Sequence, residues 1–132
     1  MAGKLVTKLS NRQCFTLTEK DTLKSASENL KKHNVGVMPV LSEQNQNVVG
    51  IISERDLARH IYKDEFKNDL LVSKIMTKKI ISCSLNTSVT ELMEIISNFK
   101  TRHILIIEEK KLIGIVSIGD VVNHIIEQYK DE

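Results

Sequence analysis

The sequence predicts a mixed α/β (α+β) fold of two tandem β-α-β-β-α repeats, packed with pseudo-twofold symmetry through their sheets. Three observations carry this expectation. Gly50-Ile51-Ile52-Ser53-Glu54-Arg55-Asp56-Leu57 returns as Gly114-Ile115-Val116-Ser117-Ile118-Gly119-Asp120-Val121, with glycine, serine and aspartate at identical spacing. Short β-branched runs alternate with segments whose apolar residues recur at helical spacing. The 132 residues also divide into halves of 66, the offset at which the earlier segments line up. A half of this length buries only a thin core, so residues 1–66 and 67–132 are expected to pack against each other with related clefts between them.

Taken in order, the lead-in Leu5-Val6-Thr7-Lys8-Leu9 aligns with Leu71-Val72-Ser73-Lys74-Ile75, and the strand-like Cys14–Thr18 aligns with Ile80–Ser84. From Thr22 to His33, Leu23, Ala26 and Leu30 share one helical face. From Ser88 to Phe99, Val89, Leu92, Met93, Ile96 and Phe99 do the same, and both stripes read as core. Ser88 followed by Glu91 fits a capping box. The strand Val35–Leu41 is matched by Thr101–Ile107; Pro39 lacks an N–H, which points to an edge, a bulge or a place where a ligand lies against the backbone. The loop Ser42–Asn47 is two residues longer than its counterpart Glu108–Lys111, so the offset falls to 64 for the glycine-serine-aspartate strand. A hairpin loop tolerates such a change. Each repeat closes on an apolar-faced helix, with Leu57, Ala58 and Ile61 in one copy and Val121, Val122, Ile125 and Ile126 in the other. His60 and His124 share a repeat position, as a common packing role would require. The charged run Lys63–Asp69 marks the junction.

A composition of 41% apolar and 27% charged residues is that of an ordinary soluble globular chain. The apolar runs reach only about five to seven residues, and the N-terminus lacks the apolar core of a secretory signal, so a cytoplasmic protein without a membrane partner is expected. Nineteen basic against 17 acidic residues, a net charge of +2, is too even for a nucleic-acid footprint, and five aromatics without Trp supply no base-stacking platform. Cys14 and Cys83 sit in apolar segments away from zinc spacing and read as reduced structural thiols. The four histidines are scattered. Without a nucleophile, a metal cluster or a paired acid and base, neither an enzyme nor a metal site is expected.

The serine-aspartate turn sits where a strand passes into a helix. Free backbone N–H groups and the positive end of the helix dipole make that position suited to an anionic ligand. Ser-x-x-Asp is equally a relative of the capping box, in which both side chains serve the helix start. Both readings stand on the residues alone.

The repeated G-h-h-S-x-x-D-h turn (h, hydrophobic), the strand Val37-Met38-Pro39-Val40 and the lead-in Ile75-Met76-Thr77 resemble the CBS domain, named after cystathionine β-synthase. The resemblance runs from about Leu5 to Gln128, as a tandem pair of the kind called a Bateman module. It implies a non-catalytic regulatory module of the energy-sensing kind, binding AMP, ADP, ATP or S-adenosylmethionine in the cleft between the repeats. Carried over residue by residue, Asp56 and Asp120 would bond ribose hydroxyls, with Ser53 and Ser117 near phosphate. The adenine slot would be lined by Phe15 and Thr16 with Val37, Met38 and Pro39, or by Ile81 and Ser82 with His103, Ile104 and Leu105. A carboxylate can accept two hydrogen bonds from a vicinal diol, Arg55 or Arg102 could neutralise phosphate, and His103 could add a donor. The copies differ: Gly119 stands for Arg55, Arg102 and His103 for Gly36 and Val37, and Leu105 for Pro39. Members of the family pair into homodimers, here through exposed helix faces. The alternative is a ligand-free module whose turns are caps only and which docks on a separate enzyme or transporter.

Overall fold

Strand and helix segments alternate in the predicted order in the computed structural model, which describes residues 4–61 and 69–130. The junction residues 63–68 and the side chain of Ile61 lie outside the described residues. The chain forms two compact units. The first spans Phe15–Ile80, and the second joins the described residues up to Cys14 with those from Ile81 onward.

The first unit runs β1 (Leu17–Thr18), α2 (Leu23–His33), β2 (Val37–Leu41), β3 (Val48–Ser53) and α3 (Glu54–Ile61), after the N-terminal helix α1 (Lys4–Ser10) that belongs to the second. The second unit continues with β4 (Ser82–Cys83), α4 (Val89–Phe99), β5 (His103–Glu108), β6 (Lys111–Ser117) and α5 (Ile118–Lys130). Each unit is thus β-α-β-β-α. Each sheet has three strands in the order β1-β2-β3 or β4-β5-β6, the first pair parallel and the second antiparallel.

The packing units are not the sequence halves. Leu5, Val6 and Leu9 of α1 enter the core built by Cys83, Leu92, Ile104, Ile106, Val116 and Val121. Val72, with Leu70, Ile75 and Met76 against it, enters the core built by Leu17, Leu23, Leu30, Met38, Val40, Ile52 and Leu57. The lead-in of each repeat therefore completes the apolar core of the other repeat's unit. A sheet of three short strands with two helices needs this added apolar surface.

The aligned lead-ins also fold differently. Lys4–Ser10 is an α-helix, whereas Val72–Lys74 is a single 3-10 turn, after which the chain meets β3 at one isolated antiparallel bridge. There Thr77 and Ile51 exchange backbone hydrogen bonds of 2.9 Å each.

Capping and turn chemistry follow the residues. Thr22 accepts from the Ser25 N–H at 3.1 Å, and Ser88 and Glu91 form the predicted capping box. Asn34 and Lys100, 66 residues apart, end α2 and α4 in the left-handed region at φ 53° and 51°. Glu109 and Lys110 turn the tight β5–β6 hairpin, both at positive φ.

Two expectations are corrected. Pro39 lies in β2, the central strand of its sheet, and not at an edge. It is tolerated because β1 is short and pairs only from Leu17 with Val40, so no ladder bond is asked of Pro39 on that side. Leu105, its counterpart, does donate such a bond, to the Ile81 carbonyl at 2.9 Å. The helical stripes are also not wholly core. Leu92 and Val121 are buried, but Met93, Phe99, Val122 and Ile126 are 41–54% exposed, and Ala58 is exposed. A helix lying on a narrow sheet buries one stripe, and the apolar band on α4 and α5 is wider than that. Among the described residues no helix is long and apolar enough to cross a membrane.

Candidate functional site

Each serine-aspartate turn is built by an antiparallel hairpin feeding a helix. In the first unit Val37 pairs with Ser53, and the Glu54 N–H donates to the Gly36 carbonyl at 2.9 Å, pinning the start of α3 to the start of β2. In the second, His103 pairs with Ser117, and the Ile118 N–H donates to the Arg102 carbonyl at 2.9 Å. The hairpin thus places residues 36–37 or 102–103 beside the turn, and Pro39 or Leu105 two residues further along the strand.

Both turns close as reciprocal caps. The Asp56 N–H donates to Ser53 Oγ at 3.1 Å, while the Ser53 N–H and hydroxyl donate to Asp56 Oδ2 at 2.9 and 3.0 Å. The Asp120 N–H donates to Ser117 Oγ at 3.1 Å and the Ser117 N–H to Asp120 Oδ2 at 2.8 Å. The structural role weighed from the sequence is therefore realised in both copies, and it uses one carboxylate oxygen in each.

The second oxygen separates the copies. Among the described residues, Asp56 Oδ1 has no hydrogen-bond partner, so it remains available to accept from a ligand hydroxyl. Asp120 is gripped by Arg12, whose two terminal nitrogens donate to Oδ1 and Oδ2 at 3.0 Å each. One of them also donates to the Ile115 carbonyl at 2.7 Å. Burial alone would raise the Asp120 carboxyl, but the Arg12 guanidinium and the Ser117 amide together hold it below the ordinary carboxylate value. Sequence reasoning missed Arg12, which lies 108 residues from its partner and in no motif.

The remaining sequence-predicted residues fall into three groups, buried, exposed and half-buried. Val37, Met38, Pro39, Ile104 and Leu105 are buried strand residues, with Met38 and Ile104 facing the helix-side cores. Thr16, Ser82, Arg55 and Arg102 are exposed, and Ile81 is half-buried against its core. Phe15 is half-buried and stacks face to face on His33, ring centroids 3.6 Å apart, so one of its faces is already covered. His103 is half-buried; burial lowers its pKa, Asp120 opposes and Arg102 reinforces that, which favours the neutral ring.

His60, in the last turn of α3, places Nδ1 2.9 Å from the Asp56 carbonyl oxygen. Cys14 and Cys83 are free thiols; burial pushes Cys83 up to about 11, which keeps it protonated. Among the described residues no three His, Cys, Asp or Glu side chains gather as a metal site.

Comparison with known families matches residues 6–63 and 72–127 each to the CBS domain. The chain is 35% identical over 119 residues to the mitochondrial CBS domain-containing protein CBSX3 of Arabidopsis thaliana, covering 87% of this chain but only 58% of that protein's length. It is 33% identical over 123 residues to an uncharacterized 17.7 kDa protein of Acidianus ambivalens, covering 92% of this chain and 73% of that one. The solved CBS-domain containing protein ATU1752 from Agrobacterium tumefaciens superposes with a TM-score of 0.80 at 32% identity, over 90% of this chain and 97% of its own. The CBS domain pair of protein MJ0100, crystallised with 5'-methylthioadenosine and S-adenosylmethionine, shares the fold at a TM-score of 0.82 and 21% identity, over 95% of this chain and 98% of its own.

Proposed function

The chain belongs to the CBS domain family, of which it carries a tandem pair, and from that premise we propose that it is a non-catalytic regulatory module. Its ligand is an adenosine-containing molecule of the class of AMP, ADP, ATP or S-adenosylmethionine, held at the serine-aspartate turns. The observation that carries this reading is Asp56 Oδ1, a carboxylate oxygen at a helix start with no partner among the described residues. An oxygen so placed can accept from a ribose hydroxyl, while the helix N-terminus favours the phosphate. The adenosyl ligands of protein MJ0100, which has the same fold, support the ligand class. Occupancy is relayed as a shift between packings of the protein, by no more than the ligand's differential affinity for them.

Isothermal titration with AMP, ATP and S-adenosylmethionine tests this on the wild type, Asp56→Ala and Asp56→Asn. Micromolar binding is expected in the wild type and its loss in both variants. Asparagine keeps an acceptor for the Ser53 N–H, so the loss there reports the carboxylate and not the cap. Heat unchanged in both folded variants, or absent with all three ligands, sinks the reading.

A second reading, docking on a protein, draws on the apolar band of α4 and α5. Met93, Phe99, Ile118, Val122, Ile126 and Tyr129 are 41–70% exposed, whereas no large hydrophobic on α2 or α3 is exposed among the described residues. A second copy is the occupant the family resemblance implies, giving a homodimer paired through the second unit. Light scattering should give twice the chain mass for the wild type and the single mass for Val122→Glu with Ile126→Glu. A monomeric wild type excludes the dimer and leaves the band to a separate protein target.

A further inference from the structure

In the first unit the lead-in meets β3 at a single antiparallel bridge, where the Ile51 carbonyl is taken by the Thr77 N–H at 2.9 Å. In the second unit α1 stays helical to Ser10, and the corresponding Ile115 carbonyl is taken instead by the Arg12 side chain at 2.7 Å. That bond anchors the guanidinium at the turn, where its terminal N–H groups also donate to both oxygens of Asp120. The fork matches a carboxylate as a planar bidentate donor, the geometry a vicinal diol would also use. Among the described residues, Lys78, 66 residues after Arg12, makes no hydrogen bond or ion pair, and Asp56 Oδ1 has no hydrogen-bond partner.

We propose that Arg12 is a built-in occupant of the Asp120 turn, so that a diol-bearing ligand loads the Asp56 turn first and reaches Asp120 only when Arg12 withdraws. This rests on the adenosine-ligand reading above and deepens it: the two repeats are unequal sites, made so by one side chain from the lead-in. Arg12 is a specificity-determining residue that acts by competition. The apparent affinity of the Asp120 turn is its intrinsic affinity reduced by the fraction of molecules in which Arg12 is away.

Half of the Arg12 side chain is solvent-exposed (46%), so Arg12→Ala leaves the core untouched. The test is calorimetric titration of the full chain with AMP, folding being checked by circular dichroism. The wild type should bind one AMP per chain, lost in Asp56→Ala. Arg12→Ala should bind a second AMP, its affinity for that site raised about tenfold or more, and the second site should vanish in Arg12→Ala with Asp120→Ala. Arg12→Lys, which keeps the charge but not the fork, should fall between. One AMP per chain in both wild type and Arg12→Ala, with Asp56 still required, overturns the competition and leaves the ligand reading intact. Weaker second-site binding in Arg12→Ala overturns it also, by making Arg12 a ligand contact. No AMP binding in any variant removes both.

Discussion

Leu92→Ala is expected to lower the unfolding free energy by about 2–5 kcal/mol, the range for emptying a well-packed leucine site. Leu92 is fully buried on α4, where it meets the core of the second unit among Leu5, Ile104 and Val121. Its counterpart in the first unit, 66 residues earlier, is Ala26, equally buried. Alanine nevertheless suits only the first unit, because the position one turn earlier carries Leu23 there and Val89 in the second. The two helices distribute large and small residues in opposite order over the same face. Leu92→Ala alone therefore leaves a void, and Val89→Leu added to it should recover part of the loss by supplying volume from the neighbouring turn. Urea unfolding followed by circular dichroism measures both. A loss below about 1 kcal/mol for the single variant would mean that α4 does not hold this core.

Gly50→Ala and Gly114→Ala are expected to differ in size although the two glycines occupy the same repeat position. A Cβ on Gly50 would lie 2.7 Å from Met76 Sδ and 2.9 Å from the Thr77 carbonyl oxygen. The sulfur can swing aside, but the carbonyl is bonded to the Ile51 N–H and belongs to the backbone of the lead-in segment. Gly50→Ala should thus cost about 1–3 kcal/mol, the range for overpacking, by prising the Thr77 bridge from β3. A Cβ on Gly114 would meet nothing closer than Ile106 Cδ1 at 3.4 Å, with the Leu9 carbonyl at 3.6 Å. Gly114→Ala should be within about 0.5 kcal/mol of neutral, the more so because alanine reduces the freedom of the unfolded chain. Thermal or urea unfolding decides it, and equal losses for the two would show that the lead-ins pack alike after all.

Repeats, element order and caps were readable because they rest on local chemistry. The period of Val89, Leu92 and Ile96, the hydroxyl and carboxylate of Ser88 and Glu91, and the doubled glycine-serine-aspartate turn each involve residues within a few positions of one another. From these follow the β-α-β-β-α order of each repeat and the resemblance to two tandem CBS domains, which residues 6–63 and 72–127 match. Three features were decided only in the folded molecule. Equal sequence at 66-residue spacing did not reveal that α1 and the segment around Val72 would each fill the other repeat's core. The missing N–H of Pro39 argued against a central strand until the shortness of β1 was known. Arg12 carried no motif, and its partner Asp120 lies 108 residues away. Pattern records what a residue does for its own helix or strand; which distant groups meet is set by how the apolar faces of separate segments combine, and it is there that Asp120 gained the Arg12 fork on both oxygens while, among the described residues, Asp56 Oδ1 gained no partner.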